Sequence, residues 1–255
     1  MLGVSQLAGL AGIVVVLVIR WQPIPLDGRM LLAAGAGVAS VTELGLLYLA
    51  MANGPILIIA PVAAAGAVLP VTAGLARGDP AGGLVIAGIA CALLGALGAA
   101  WEPGNRGARP GRPSIGVLLA FAAAAAIGVF FLLLNAASKT DPYWAVGVMR
   151  LSSCAALAVV LPLTRGRGKP AVRPAGSAWR ALIVIGLCDV AADTAFAAAS
   201  GRGAVSSISV LASLYPVVTV LLARTVLRER VHGIQMCGVA AALAGVIMLA
   251  VSAPS

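Results

Sequence analysis

The sequence predicts an all-α integral membrane protein, and three observations carry that prediction. Of the 255 residues, 61% are hydrophobic and only 10% are charged. A soluble domain normally carries about 25% charged residues, so the bilayer is the expected solvent. The mean hydropathy is +1.07, and the apolar content recurs from end to end in segments of roughly 20 residues, the length of a spanning helix.

Nine segments fit a spanning helix, with loops of Gly, Pro, Asp and Arg between them. They cover residues 2–19, 29–52, 55–76, 81–100, 114–137, 142–163, 179–200, 204–227 and 231–252. The four tryptophans support these bounds, because an amphipathic ring prefers the headgroup level. They lie at or near helix ends: Trp21, Trp101, Trp144 and Trp179.

The net charge of +9 does not indicate nucleic acid, because no basic stripe is interleaved with aromatic residues. Most basic residues lie in loops, above all in 102–113, 164–180 and 224–230. By the positive-inside rule this bias predicts a cytoplasmic N-terminus and an external C-terminus.

The cysteines and the histidine predict neither a cofactor nor a metal centre. Cys91, Cys154, Cys188 and Cys237 are isolated in apolar segments and match no disulfide or metal-ligand spacing. We expect them to be small buried hydrophobic residues. His232 lies beside loop arginines without a ligand partner, and no phosphatase or protease motif is present, which argues against a membrane-embedded enzyme.

The first and second halves of the sequence resemble each other. Leu75-Ala76-Arg77 matches Leu222-Ala223-Arg224, and three glycines of helix four match three of helix nine. These are Gly83, Gly88 and Gly95 against Gly233, Gly238 and Gly245. Helices one to four thus match six to nine, which divides the chain into a four-helix repeat (1–101), a linker (102–113) and a five-helix repeat (114–255). A unit of five helices inverts its second copy, as in secondary transporters, and a further first helix is expected before Met1.

Two stretches resemble a known family. GPILIIAPVAAAGAVLPVTAGLARGDP (54–80) and GAVSSISVLASLYPVVTVLLARTVLRERVHGIQMCGVAAALAGVIML (203–249) are similar to the last two helices of each half in the EamA family of the drug/metabolite transporter superfamily. GVSQLAGL (3–10) is similar to the second helix of such proteins. The resemblance implies a ten-helix fold of which this chain lacks the first helix, and transport of small metabolites without a prosthetic group. It also implies two cytoplasmic termini, which disagrees with the charge bias and leaves orientation open.

Four charged residues lie deep in predicted helices, away from the ends, where a charge costs about 2.5–3.5 kcal/mol on insertion scales. Asp189 and Asp193 share one face of helix seven, Glu43 lies in the matching helix two, and Arg150 lies in helix six. The functional interpretation is a central cavity whose carboxylates bind an amine or take a coupling proton. The structural alternatives are that Arg150 pairs with Asp189 or Glu43, or that the acids are protonated and hydrogen-bonded.

Weaker signals concern hydroxyls, prolines and glycines. Predicted helix eight carries a polar stripe that either lines a pathway or packs helices; its residues are Ser206, Ser209, Ser213 and Tyr215. Pro61, Pro70 and Pro216 permit kinks. The glycines of helices four and nine predict close packing, and could also form the face of a homodimer.

These patterns together predict a multi-pass secondary transporter in a bacterial cytoplasmic membrane, the source being indicated by a composition rich in Arg, Ala and Gly and poor in Lys. The expected partners are the lipid bilayer and a small organic substrate such as an amino acid or another amine-bearing compound, with export favoured and proton coupling open. The alternatives are a multidrug cation efflux protein and a non-transporting, degenerate membrane subunit.

Overall fold

The computed structural model describes residues 2–69, 82–100, 115–164, 178–200 and 233–252, and every regular element in these ranges is helical. The helices correspond to predicted helices one to seven and nine, with ends that mostly agree within two residues. They are α1 (Leu2–Arg20), α2 (Arg29–Ala52), α3 (Ile56–Ala64), α4 (Gly83–Ala100), α5 (Ile115–Ser138), α6 (Pro142–Thr164), α7 (Ala178–Ser200) and α8 (Gly233–Ser252). Predicted helix eight and the linker 102–113 lie outside the described residues.

Five of these helices are long and apolar enough to cross a bilayer: α1, α2, α5, α6 and α7. The apolar windows of α4 and α8 are shorter, Ile86–Gly95 and Met236–Gly245. Three of the tryptophans lie within the described ranges, and each stands at a helix end as predicted: Trp21, Trp144 and Trp179. The chain is therefore a helical membrane protein with several spans.

Predicted helix three is not a continuous α-helix. The α-helical part ends at Ala64, and a 3₁₀ turn follows over Ala65–Ala67. Pro61 has no N–H to donate to the carbonyl four residues earlier, which weakens the helix at this point. Gly66 of the 3₁₀ turn approaches the backbone carbonyl of Ala124 so closely that a Cβ would overlap it. The remainder of predicted helix three beyond residue 69 is outside the described residues.

The described helices form two compact units. The first comprises residues 1–41 and 130–203; within it α1 packs against α6 and α7, and α6 also packs against α7. Its core contains Ile13, Leu134, Val146 and Met149, all fully buried. The second unit comprises residues 42–129 and 204–255, and in it α4 packs along α8 while α3 packs against both.

Glycines bring α4 and α8 into backbone contact. A Cβ on Gly95 would overlap the backbone nitrogen of Ala242, and a Cβ on Gly245 would overlap that of Ala92. From Ala92 to Gly95 along α4 the contact moves from Gly245 back to Ala242 of α8, so the two helices are antiparallel. Because lipid tails are as apolar as side chains, helix association in a bilayer depends on such close packing. The prediction that glycines of these helices serve close packing is confirmed for Gly95 and Gly245, but it is wrong for Gly83 and Gly233, where a Cβ would meet nothing within 4 Å.

Hydroxyl groups hold α6 against α2 in the first unit. Ser152 Oγ donates to the carbonyl of Ala34 at 2.9 Å, and Ser153 Oγ donates to the carbonyl of Gly37 at 3.0 Å. A Cβ on Gly37 would overlap both Ser152 Oγ and the Met149 carbonyl. The absence of a side chain at Gly37 therefore allows the two helices to approach within hydrogen-bonding distance.

The turn before α6 is fixed by carboxylates outside the spans. Asp141 Oδ1 accepts hydrogen bonds from the backbone nitrogens of Tyr143 and Trp144, both at 2.9 Å, and so caps α6. Arg20 at the end of α1 lies 3.2 Å from Asp141 and stacks 4.0 Å over the ring of Tyr143. Asp27 accepts a hydrogen bond of 2.6 Å from Thr140. These contacts tie the 21–28 loop to the 139–141 turn.

A first prediction concerns the α4–α8 crossing. Replacing Gly95 by Ala places a methyl group against the backbone of α8, and overpacking of this kind costs about 1–3 kcal/mol. We expect Gly95→Ala to lower the melting temperature of the detergent-solubilised protein, measured as the loss of its monodisperse peak after heating. Gly45→Ala is the matched control, because nothing lies within 4 Å of a Cβ at Gly45; equal melting of the two variants would contradict the prediction.

A second prediction concerns pH. The hydrogen bond from Thr140 lowers the pKa of Asp27 below its ordinary value, with a further contribution from the backbone N–H of Arg29. Because the folded pKa is the lower one, the stabilisation is present above about pH 4 and is lost as the pH falls further. Thr140→Val should therefore melt slightly below wild type at neutral pH, and this gap should close in acid. Thr140→Ser retains the donor and should behave as wild type; a gap that persists in acid would contradict this account.

Candidate functional site

Arg150 is the largest fully buried side chain of the described residues, with 1% of its surface exposed. It projects from α6 to the place in the first unit where α1, α6 and α7 pack together. A guanidinium cannot lose its charge in a protein, and burying an unpaired charge is costly. The residues around it must therefore supply acceptors and negative charge.

Three side chains on two helices supply them. Arg150 Nη1 donates to Oε1 of Gln6 on α1 at 2.9 Å. Arg150 Nη2 donates to Oδ2 of Asp189 on α7 at 2.8 Å and to Oδ2 of Asp193, one turn further along the same helix. The buried Nε has no hydrogen-bond partner among the described residues. We call Gln6, Arg150, Asp189 and Asp193 the Arg150 cluster.

Two glycines allow α1 and α7 to approach each other beside the guanidinium. A Cβ on Gly9 would lie 3.0 Å from the carbonyl oxygen of Gly186 and 3.5 Å from Arg150 Nη1. A Cβ on Gly186 would overlap the carbonyl of Ser5. The close contact of α1 with α7 at these glycines brings Gln6 and the two acids within reach of one arginine.

The two carboxylates differ in exposure. The Asp193 side chain is 17% exposed, whereas that of Asp189 is 53% exposed. The buried face of α7 follows Gly186, Val190 and Ala197; Asp193 lies on this face and Asp189 on its rim. Arg150 donates to Oδ2 of each acid, and Oδ1 of Asp189 receives no hydrogen bond from the arginine. One acid is thus enclosed with the arginine, and the other is accessible.

The structure brings together three of the residues that the sequence singled out: Arg150, Asp189 and Asp193. The pairing of Arg150 with Asp189, considered as a structural alternative, is present. Glu43 is half-buried on α2 and belongs to the second unit. The polar stripe of predicted helix eight lies outside the described residues; this concerns Ser206, Ser209, Ser213 and Tyr215.

Gln6 was not predicted, although a signal for it exists in the sequence. Gly3-Val4 and Leu7 in α1 recur at the same spacing as Gly147-Val148 and Leu151 in α6, and this match places Gln6 at the position of Arg150. The two matching positions meet in the structure, because Arg150 donates to Gln6. Gln6 is 2% exposed, so its amide oxygen is committed to the arginine.

The prediction for the cysteines is partly wrong. All four thiols are free, but Cys188 and Cys237 are exposed, and Cys91 and Cys154 are half-buried. In a bilayer an apolar side chain can face lipid as readily as the protein interior, so apolar character does not imply burial. Among the described residues, no group of three or more His, Cys, Asp or Glu could hold a metal ion.

An open apolar groove of about 510 Å³ lies at the far end of α1. It is lined by Val14, Leu17, Val18, Trp21, Gln22, Pro23 and Trp144. Gln6 and Trp21 are 15 residues apart along the chain, which is about 22 Å at the helical rise. The groove carries no charged side chain and is separate from the Arg150 cluster.

A third prediction follows from the shared arginine. Arg150→Met leaves two carboxylates deep in the helices without a counter-charge, and breaking a buried ion pair in this way costs roughly 3–5 kcal/mol. We expect a large fall in melting temperature in detergent. Adding Asp189→Asn and Asp193→Asn to the Met variant removes the stranded charges and should recover most of the loss. A single Met variant as stable as wild type would show that the pairing does not hold the helices together.

The chain can be compared with known proteins. Comparison with curated proteins gives no match. The model of the EamA-like transporter family matches residues 114–251, which is more than half of the 255-residue chain and includes α5, α6, α7 and α8. Arg150, Asp189 and Asp193 all lie inside the matched region, and the match confirms the resemblance seen in the sequence. The chain therefore belongs to the EamA-like transporter family, within the drug/metabolite transporter superfamily.

Proposed function

We propose that this protein exports small amine-bearing organic metabolites across the cytoplasmic membrane of a bacterium, and that protons drive the export. The observation that carries the proposal is the half-exposed carboxylate of Asp189, beside an arginine that is itself buried. Family membership supports transport in general; the substrate class, direction and coupling rest on the chemistry of the cluster.

The depth of Asp189 is the first step. Residue 189 is the midpoint of α7, whose 23 residues span about 34 Å, so the carboxylate lies about 17 Å from either end. A charged group at that depth is costly against lipid and usually faces the bundle interior or a water-filled path. Since 53% of the side chain is exposed, the open side of Asp189 is better explained by a polar path than by lipid.

The chemistry of the open side is the second step. A carboxylate accepts charge-assisted hydrogen bonds, and an alkylammonium donates them. Arg150 leaves Oδ1 of Asp189 free of its own bonds, so an ammonium group can approach that oxygen. The same oxygen can accept a proton when no cargo is present, which links cargo binding to proton release.

The packing of α4 against α8 supports the inverted repeats that alternating access requires. In the internal match of the sequence, Gly95 corresponds to Gly245, and Ala92 therefore corresponds to Ala242. If each residue is replaced by its match in the other half, the contact Gly95–Ala242 becomes the contact Gly245–Ala92. A pair of matching, antiparallel helices that contact each other reciprocally is the arrangement expected at a pseudo-two-fold axis in the membrane plane. We propose nine spanning helices on this basis.

The test uses purified protein in liposomes that contain a pH-sensitive dye, with a panel of amino acids and small organic amines added outside. Wild type should acidify or alkalise the lumen in response to an amine, and Asp189→Asn should lower that rate at least about tenfold, since it removes the charge that binds the ammonium. Asp27→Asn is the matched control, because it makes the same chemical change outside the spans. Proton movement and labelled-amine flux that survive Asp189→Asn unchanged would show that this acid has only a structural role.

A further inference from the structure

The groove at the end of α1 has the size and the apolar walls of a ligand site. Its volume of about 510 Å³ lies within the range of roughly 300–1,000 Å³ that is usual for such sites. Val14, Leu17 and Val18 line it at the three- and four-residue spacing of one helix face. Val14 is 46% exposed and Val18 is 59% exposed, so the described helices leave this face open.

The groove extends from the hydrocarbon region to the membrane surface. The membrane-spanning window of α1 ends at Arg20. Trp21 and Trp144 also line the groove, and tryptophan rings prefer the headgroup level. Val14 lies seven residues before Trp21, which is about 10 Å deeper at the helical rise. A phospholipid has the same order, with its head group at the surface and its apolar chains below.

The backbone at Trp21 has a conformation that is unusual for its side chain. Its φ is 48°, in the left-handed region that ends many helices and is usually occupied by glycine. The backbone N–H of Trp21 donates to the carbonyl of Leu17 at 3.1 Å and so closes α1. The residue is 86% exposed, so it gains little from packing within the described residues. An exposed indole at this level presents an apolar ring to lipid chains and an N–H donor to a head group.

Hydrogen bonds hold the loop after α1 against the turn before α6, beside the groove. Trp144 Nε1 donates to the carbonyl of Gln22 at 3.3 Å, and both residues line the groove. Thr140 Oγ1 donates to Asp27 Oδ2 at 2.6 Å, and the backbone N–H of Arg29 donates to Oδ1 of the same carboxylate at 3.1 Å. The charges of this loop and turn therefore lie together at the headgroup end of the groove.

Positive charge is in excess at that end. Arg20 pairs with Asp141 at 3.2 Å. One acid, Asp27, then remains against two cations, Arg29 and Lys139, and both cations are exposed. The headgroup end of the groove therefore carries one net positive charge, which attracts an anionic lipid.

We propose that the groove binds one phospholipid with an anionic head group. One acyl chain packs along Val14 and Val18, below the level of Trp21. The phosphate lies at that level, where Arg29 and Lys139 attract it. A second copy of this chain is a poorer occupant, because it would bring the same positive charge to the contact. The site lies at the other end of α1 from the Arg150 cluster and does not depend on the proposed function.

The test is native mass spectrometry of the purified, delipidated protein in detergent. Dioleoyl phosphatidylglycerol and dioleoyl phosphatidylcholine are titrated separately, because the two lipids share their chains and phosphate and differ in net charge. We expect wild type to bind one molecule of the anionic lipid at least about fivefold more tightly, the factor for one Lys or Arg near an anionic surface. This preference should fall as the ionic strength rises from about 0.01 M to about 1 M, since salt screens exposed charges.

Variants test the apolar and the charged part of the site separately. Val18→Phe fills the groove and should lower the affinity for both lipids at least about tenfold, since each buried CH₂ of a lipid chain contributes about fourfold. Val15→Phe is its matched control, because Val15 is 57% exposed on the same helix and does not line the groove. Arg29→Gln and Lys139→Gln should each lower the affinity for the anionic lipid about fivefold and leave that for phosphatidylcholine unchanged. Arg180→Gln removes an exposed arginine at the start of α7 and should bind both lipids as wild type does.

Each outcome decides for or against the lipid site. Equal affinity of wild type for the two lipids, or binding of the anionic lipid that survives Val18→Phe, would overturn the proposal. If Val18→Phe does not fold, Val14→Phe fills the same groove and replaces it. A dimer that Val18→Phe separates, with no lipid bound, would assign the groove to a second copy and would also overturn the proposal. Amine transport is measured apart from lipid binding, so the failure of either proposal leaves the other standing.

Discussion

The ion pairs of Arg150 are the interaction on which the rest of the first unit depends. Three helices meet at this guanidinium, and none of the charged partners could remain at that depth alone. The positive charge of Arg150 is compensated by the two acids of α7, and their negative charges are compensated by the arginine. These ion pairs therefore link α6 to α7. Gln6 extends the link to α1 through a neutral bond.

Close helix packing at small residues determines both the fold and the position of the site. Since apolar burial does not drive helices together in lipid, close approach depends on small residues and on hydroxyls. Gly37 with Ser152 and Ser153 holds α2 against α6, and Gly95 with Gly245 holds α4 against α8. Gly9 and Gly186 do the same for α1 and α7, and the Arg150 guanidinium lies beside Gly9. Packing at these glycines therefore determines where the charge can be placed.

The helices could be predicted from the sequence because the bilayer constrains length and composition together, so each apolar run has few alternative interpretations. The interruption of α3 after Pro61 was harder to predict, since proline only permits a break and tertiary contacts decide whether one forms.

The charged residues of the site could be predicted because a charge inside a membrane helix is energetically costly. The sequence did not show which side chains pair with them. The spacing of Asp189 and Asp193 predicts that they share one face of α7, and only the packing shows that Arg150 pairs with both. Gln6 was not predicted because an amide carries no charge. The prediction that Cys188 is buried was wrong because an apolar residue can face lipid as well as the protein interior.

The two kinds of contact between matching helices differ in an informative way. Where the matching helices α4 and α8 meet, the contacts are reciprocal, and Gly95 and Gly245 have the same role. Where the matching positions of α1 and α6 meet, one is glutamine and the other is arginine. The charges have a different requirement: arginine at both positions would set two guanidinium groups against two carboxylates, whereas glutamine at both would leave two negative charges unbalanced. A single arginine pairs with both acids, so the Gln6 and Arg150 positions differ in charge although they lie at matching places in their helices.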